Sequence, residues 1–106
     1  MPTLELKGVQ FYSDADESAF FTFARGIKAV QKVGGVGDSI ILHVTARPSQ
    51  QSLRDLVALF IRYRISGMRQ LAQFLSTTNR RWFADPRKAW HKKIFGDGTR
   101  TSNQIR

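Results

Sequence analysis

The sequence predicts a small α+β fold in which amphipathic helices pack a three-stranded antiparallel or mixed sheet, in the order β-α-β-β-α-α-α. Two observations predict this class. β-rich segments flank one helical segment in the first half of the chain, and apolar residues recur at helical spacing in the second half. At 106 residues, of which 42% are hydrophobic, the chain has the size and composition of one globular domain. We therefore expect a single domain over residues 1–96 and a polar, flexible tail over residues 97–106.

The first half is predicted to begin with a strand and a helix. Apolar residues alternate loosely over residues 3–11, and Gly8 is a position where a bulge can exchange the two faces of the strand. Asp14 is predicted to cap the helix that follows, with Glu17 as the residue that reaches back to the cap. Phe20 and its helical neighbours then line one face of this helix.

Residues 27–33 can either continue the helix or form a second strand. Gly26 is a natural end for a helix, and residues 34–38, GGVGD, resemble a hairpin connection before the β-rich residues 39–45. A third strand also gives the sheet a face to pack, which a lone pair of strands lacks. The sequence therefore favours a strand-helix-strand-strand order, with a β-α-β start as the alternative.

The second half is predicted to hold three helices. Ser49 or Ser52 can cap the first of them, an amphipathic helix over residues 52–65 that we expect to pack across the sheet. A Ser-Gly dipeptide interrupts this helix, and helical spacing restarts in four apolar residues, namely Met68, Leu71, Ala72 and Leu75. Residues 76–79, STTN, are predicted to form a turn.

The last predicted helix runs from Pro86 to Phe95. Asp85 stands where the N-cap belongs, Pro86 takes the first helical position and Gly96 follows the end. The apolar side chains would share one face, namely Ala89, Trp90 and Ile94. The charged side chains would form i,i+4 pairs on the other face, namely Arg87 with His91 and Lys88 with Lys92.

Most of the chain is covered by four blocks of sequence, which are DESAFFTF, GIKAVQKVGGVGDSIILHV, SLRDLVALFIRYRISGMRQLAQFL and RWFADPRKAWHKKIFG. Their order resembles a group of short, uncharacterised bacterial single-domain proteins that end in a WF pair, an aromatic–tryptophan pair and FG. Here Ala89 precedes Trp90 in place of the aromatic residue. The likeness covers about residues 9–96 and implies one compact domain that ends near Gly96. It assigns no catalytic residue.

The formal charge of the chain is +9, and it is concentrated in the second half. Residues 1–46 carry four Lys or Arg and five Asp or Glu, whereas residues 47–106 carry thirteen and three. Clustered positive charge creates a field that steers association with anionic partners. We therefore expect an acidic protein or a nucleic acid as the partner, and the oligomeric state stays open.

The sequence contains no cysteine and only two histidines. The absence of cysteine excludes disulfides, a thiol nucleophile and Cys-based zinc sites. The spacing of the acidic residues 14–17 matches neither a calcium loop nor a zinc site, so we expect no metal and no other cofactor. The longest purely apolar run is residues 57–61, and we therefore predict a cytoplasmic protein without a signal peptide or a membrane span.

The preferred functional hypothesis is a non-enzymatic protein-interaction domain. Its basic C-terminal surface would bind an acidic partner, and one version is an immunity or antitoxin-type protein that occludes a toxin. The predicted binding residues are Arg80, Arg81, Arg87, Lys88, His91 and Lys92. No catalytic residue is predicted.

Two alternative hypotheses remain beside this one. The Arg/Lys/Trp-rich segment 80–93 could bind nucleic acid, with its cations on phosphates and Trp82 or Trp90 stacked on bases. A nuclease that uses His43 and His91 as an acid/base pair is less favoured. The first of these histidines lies on a predicted strand face and the second on a cationic helix face, which are ordinary structural positions.

Overall fold

The computed structural model describes residues 2–96, so the predicted tail over residues 97–106 lies outside the described residues. The chain divides into two compact units, Met1–Gly67 and Met68–Arg106. The described part of the first unit contains three β-strands and two α-helices, and that of the second contains a 3₁₀-helix and two short α-helices. The predicted α+β class is confirmed. The single domain over residues 1–96 stays a prediction.

The sheet of the first unit is antiparallel and has the strand order β1-β3-β2. Its strands are β1 (Thr3–Lys7), β2 (Val30–Val36) and β3 (Ser39–Val44). The open choice for residues 27–33 is thereby decided in favour of a strand, which begins at Val30. A two-residue turn of Gly37 and Asp38 joins β2 to β3, and Gly37 has a φ of 60°, which glycine adopts without steric cost.

One face of the sheet is buried. Leu4 of β1 pairs with Leu42 of β3, and both side chains are fully buried, as is that of Leu6. Successive side chains of a strand point to opposite faces, so the residues between these leucines belong to the outer face. There Thr3 pairs with His43. The sheet therefore presents an apolar inner face and a mixed outer face, on which Ile41 and the exposed Val36 accompany polar residues.

β1 ends earlier than the sequence predicts. Gly8 has a φ of 64°, in the left-handed region, and this conformation is incompatible with an extended strand. The predicted strand over residues 3–11 with a bulge at Gly8 is therefore wrong in its second half. The pairing irregularity of the sheet lies in β2 instead, between Val30 and Lys32.

Helix α1 spans Asp14–Gly26, and its N-cap is Ser13 rather than the predicted Asp14. Ser13 has an extended backbone, and its Oγ accepts a hydrogen bond from the Asp16 N–H at 3.1 Å. Both positions offer a capping side chain, but a cap at Ser13 places three carboxylates in the first turn, where the helix dipole favours negative charge. Phe20 on the predicted apolar face is fully buried.

Helix α2 spans Gln50–Arg62 and is the amphipathic helix predicted over residues 52–65, shifted toward the N-terminus. Ser49 caps this helix, with its Oγ accepting from the Ser52 N–H at 3.1 Å. Ser52 is buried, and its Oγ accepts from the Ala29 N–H at 3.1 Å, which ties α2 to the segment before β2. The sequence places Leu53, Leu56, Val57, Phe60 and Ile61 on the apolar face; the first four are buried, whereas Ile61 is 45% exposed and Leu59 is buried in its place.

The C-terminal end of α2 is a Schellman motif. The Ile65 N–H donates to the Phe60 carbonyl at 2.9 Å, and the Arg64 N–H donates to the Ile61 carbonyl at 3.2 Å. Arg64 has a φ of 53°, in the left-handed region that glycine usually occupies at this position. A side chain in this conformation costs about 1 kcal/mol. The helix predicted to reach residue 65 therefore ends at Arg62.

The second unit begins with the 3₁₀-helix Met68–Phe74, where the sequence predicts an α-helix. Its buried side chains are Met68, Leu71 and Phe74. They recur every three residues, which is the period of a 3₁₀-helix. Ala72 and Leu75, which would complete an α-helical face, are only half-buried. The prediction fails because a spacing of three residues fits both kinds of helix.

The remaining helices of the second unit are short. α3 spans Arg80–Phe83 and α4 spans His91–Phe95. A turn precedes α3, as the sequence predicts for residues 76–79, and Gly96 with a φ of 80° follows α4 as predicted. None of the helices described between residues 2 and 96 combines the length and the apolar composition needed to cross a membrane.

Candidate binding surface of the second unit

Asn79 joins the 3₁₀-helix to α3 through both ends of its side-chain amide. Its Nδ2 donates to the Phe74 carbonyl at 2.8 Å, and its Oδ1 accepts from the Ser76 N–H at 2.9 Å. The Asn79 N–H in turn donates to the Ser76 Oγ at 3.3 Å. Asn79 is buried, so these bonds satisfy groups that are shielded from water. The Asn79 amide therefore helps to position Arg80 and Arg81 at the start of α3.

Residues 85–91 form two consecutive turns in place of the first half of the predicted helix. The Lys88 N–H donates to the Asp85 carbonyl at 3.0 Å, and the His91 N–H donates to the Lys88 carbonyl at 3.1 Å. An Asp-Pro pair suits the first two positions of a type I turn as well as the N-cap and first residue of a helix. The predicted helix over Pro86–Phe95 is therefore wrong before His91. Ala89, expected on its buried face, is exposed.

Asp85 and Arg87 form an ion pair within the first turn. The Arg87 Nε donates to Oδ1 of Asp85 at 3.1 Å and Nη2 donates to Oδ2 at 3.0 Å, while the Arg87 N–H donates to Oδ1 at 2.9 Å. The hydrogen bonds from the Arg87 side chain and then its N–H lower the pKa of Asp85 to about 2, and the same carboxylate raises the pKa of Arg87. The Arg87 side chain is 89% exposed, so the pair contributes little to stability. It does engage one cation of the predicted binding set.

Four aromatic rings form the aromatic cluster of this unit, namely Trp82, Phe83, Trp90 and Phe95. The two tryptophans meet edge to face with ring centroids 5.8 Å apart, and Phe83 meets Phe95 edge to face at 5.1 Å. The Trp90 Nε1–H donates to the Phe83 carbonyl at 2.9 Å. The cluster thereby joins α3 to the turns and to α4.

The predicted binding residues lie beside this cluster in sequence and within the same unit. Those with exposed side chains are Arg80, Arg81, Arg87, Lys88 and Lys92. His91 differs, because it is half-buried and its ring lies 5.4 Å from that of Phe95. The Lys88 Nζ lies 5.9 Å from the centroid of the Trp90 ring, within the range of a cation–π contact. Lys93 is exposed as well, although the predicted set of six binding residues omits it.

These placements define a smaller group of cations for recognition, which we call the basic set. Its members are Arg80, Arg81, Lys88 and Lys93, all of which are exposed. Arg87 is outside it because its guanidinium is held by Asp85, and His91 is outside it because its ring packs on Phe95. Arginine can bind a carboxylate or a phosphate through two parallel hydrogen bonds, and lysine adds a point charge. The basic set is therefore suited to an anionic surface of either kind.

The two histidines belong to different units. His43 lies on the outer face of the sheet, where it is in register with Thr3 of β1 and Lys32 of β2. An acid/base pair of His43 and His91 stays a prediction. Within residues 2–96, no group of three or more His, Asp or Glu side chains is arranged to hold a metal ion.

Comparison with known proteins assigns no family to this fold. No family model, no curated protein and no solved structure matches the chain. The resemblance to short bacterial proteins stays a prediction.

Proposed function

We propose that this chain is a non-enzymatic binding module whose basic set recognises an acidic protein surface. The observation that carries the proposal is the packing of both tryptophans in the aromatic cluster. Trp82 and Trp90 contact each other at 5.8 Å, and the Trp90 indole N–H is bonded within the unit. The backbone that carries the exposed cations is therefore already ordered in the unbound protein, and this preorganisation lowers the entropic cost of binding.

The same packing separates the two classes of partner. Single-stranded nucleic acid is commonly held by bases that stack on exposed aromatic faces. Trp90 already has the Lys88 ammonium over its ring and Trp82 against it, so a stacked base would have to displace these contacts. A protein partner requires only carboxylates opposite the cations and a complementary shape. The contacts of Trp90 therefore favour an acidic protein over single-stranded nucleic acid.

The arginines of α3 are the proposed anchors of the interface. Arg80 and Arg81 are adjacent and exposed, and arginine is enriched among interface residues that carry most of the binding energy. A partner with Asp or Glu side chains at matching positions would receive bidentate hydrogen bonds. In the immunity or antitoxin version of this proposal, the partner is a toxin with an acidic surface that the module covers.

The test compares two triple variants of the full-length chain. The first replaces Arg80, Arg81 and Lys88 by Gln. The matched control replaces three exposed cations of the first unit by Gln and so removes the same charge, at Lys7, Lys28 and Lys32. Both are titrated with poly-glutamate and with labelled single-stranded and duplex DNA at several salt concentrations. We expect the first variant to bind poly-glutamate about tenfold more weakly than the control, a difference of about 1.4 kcal/mol.

Three outcomes decide between the hypotheses. Equal losses in the two variants would mean that net charge alone causes binding, and the proposal would be wrong. Tight DNA binding with a steep salt dependence and quenched tryptophan fluorescence would favour the nucleic-acid alternative. The immunity version predicts a stoichiometric complex with the product of an adjacent toxin-like reading frame, and the first triple variant should lose that complex.

A further inference from the structure

We infer that the first unit binds a phosphate-bearing ligand through Arg62 and Arg64, in a cleft at the C-terminal end of α2. The cleft has a volume of about 770 Å³ and is also lined by residues of α1 and of the segment between β1 and α1. This volume lies within the usual range for small-molecule sites, about 300 to 1,000 Å³. The site uses no member of the basic set, so it is independent of the proposed protein interaction.

The charged groups of the cleft are two guanidinium groups and one carboxylate. The carboxylate belongs to Asp16, whose Oδ2 accepts a hydrogen bond from the Tyr12 N–H at 3.1 Å and so serves the start of α1. Among the residues that the structure describes, no ion pair joins Arg62 or Arg64 to an acidic side chain. The side chains of the cleft therefore carry a net charge of +1, from two arginines and one aspartate, which attracts an anion against the negative end of the α2 dipole.

The backbone of Arg64 is an independent observation that points to the same cleft. Arg64 occupies the left-handed position of the Schellman motif with a φ of 53°, where glycine would relieve the steric conflict. The capping bonds use only the main-chain N–H groups of Arg64 and Ile65, so they do not require the arginine side chain. Strained residues concentrate at functional sites, and here the strain is associated with a cation in the cleft.

The chemistry of two arginines fits a phosphate monoester better than a carboxylate. At neutral pH a phosphate monoester carries nearly two negative charges and three acceptor oxygens, whereas a carboxylate carries one charge and two oxygens. Two tyrosines also line the cleft. The Tyr12 side chain is 88% exposed, and the half-buried Tyr63 ring is held edge-on by Phe20 at 4.9 Å. These rings offer an apolar surface to the organic part of an aromatic phosphate.

The experiment is an amide NMR titration of the full-length chain with phenyl phosphate. Inorganic phosphate tests whether the anion alone suffices, and benzoate tests whether a carboxylate can replace it. We expect phenyl phosphate to produce saturable shifts at Tyr12, Ala19 and Tyr63. Inorganic phosphate should bind more weakly at the same residues, and benzoate should not bind there. Affinity for phenyl phosphate should fall as the pH decreases below about 6, because the phosphate then loses its second charge.

Arg64→Gly supplies the decisive variant because binding and stability should change in opposite directions. It should weaken phenyl phosphate binding by at least about tenfold while raising the Tm by about 4 °C through relief of strain. Arg62→Gln should weaken binding similarly. Arg47→Gln removes an exposed cation elsewhere in the same unit and should preserve binding.

The inference is overturned by any of three results. The first is shifts confined to residues 80–93, which would assign phosphate to the basic set. The second is unchanged affinity in Arg64→Gly relative to Arg47→Gln. The third is a lower Tm for Arg64→Gly, which would mean that the arginine side chain supports the fold instead of a ligand.

Discussion

In the first unit, strands and helices of five to thirteen residues carry the core, whereas the longest helix described in the second unit has seven residues. A helix of four or five residues makes too few internal hydrogen bonds to be stable alone. The second unit instead depends on single side chains that bond to the main chain, as Asn79 and Trp90 do. Regular hydrogen-bonded elements distribute stability over many residues, and short turns concentrate it in a few.

The two units also carry charge differently. Residues 1–67 contain eight Lys or Arg and six Asp or Glu, whereas residues 68–96 contain seven and one. A nearly balanced unit can still hold a local excess of charge in a cleft, as at Arg62 and Arg64. A unit with a large excess presents exposed cations on its surface. The expected ligands differ accordingly, with a small anion for the first unit and an acidic surface for the second.

The largest expected effect is on the aromatic cluster. Phe83→Ala removes a fully buried ring and should lower the free energy of unfolding by about 3 to 5 kcal/mol. Both tryptophans of the chain belong to the second unit, so urea unfolding followed by tryptophan fluorescence measures this change where it occurs. Phe83→Leu is the control and should cost less than about 1.5 kcal/mol. A loss below about 1 kcal/mol in Phe83→Ala would contradict a packed cluster.

The amide of Asn79 should have the next largest effect. Asn79→Ala leaves the Phe74 carbonyl and the Ser76 N–H without their partners, at a cost of about 2 to 3 kcal/mol. The same fluorescence-detected unfolding checks the value. Thr78→Ala changes an exposed residue of the same turn and should have almost no effect. Equal stabilities of Asn79→Ala and Thr78→Ala would mean that the second unit does not depend on the Asn79 side-chain bonds.

A smaller effect is expected for the corresponding side-chain bond of the first unit. Ser52→Ala leaves the buried Ala29 N–H without its acceptor, and the regular elements around it should limit the loss to about 1 to 2 kcal/mol. Hydrogen exchange of the Ala29 amide is the specific measurement, because that amide should exchange faster in the variant. Ser18→Ala, at an exposed position of α1, should leave its exchange unchanged.

The smallest effect concerns the pH dependence of the Asp85–Arg87 pair. The folded-state pKa of Asp85 is about 2, below the ordinary value of 3.8. A lowered pKa means that the pair stabilises the protein above about pH 4 and that this contribution is lost as the pH falls toward 2. Carboxyl NMR titration should give the low pKa in the native chain and a value near 3.8 in Arg87→Ala. An unchanged pKa in that variant would assign the shift to another cause.

The sequence predicts most of the first unit because its signals are periodic and repeated. The apolar face of α2 repeats through five buried residues, and burial alternates along β1. A repeated pattern identifies a helix even when its predicted end is wrong by one residue. At α1 the N-cap is Ser13, one residue before the predicted Asp14. The cleft was beyond prediction, because Asp16 and Arg64 are far apart in sequence and only the folded first unit brings them to one site.

The binding surface is predictable in composition but not in geometry. The sequence identifies five exposed cations correctly, since charged residues in a basic segment face water unless they are paired. It does not reveal that Asp85 engages Arg87, although an Asp-Pro pair two residues before an arginine is a local signal for such a turn. The packing of His91 on Phe95 also has a local signal, because the two residues are four apart on one helix.

By itself, the sequence determines the α+β class, the order of the elements through α2, the end of α4 before Gly96 and the concentration of positive charge in the second half. Only the tertiary structure decides that Met68–Phe74 is a 3₁₀-helix, that Asp85 begins a turn and that the tryptophans pack on each other. The physical reason is the length of the elements. Long elements are specified by repeated burial, whereas short ones have nearly equal local alternatives, and contacts between residues distant in sequence select among them.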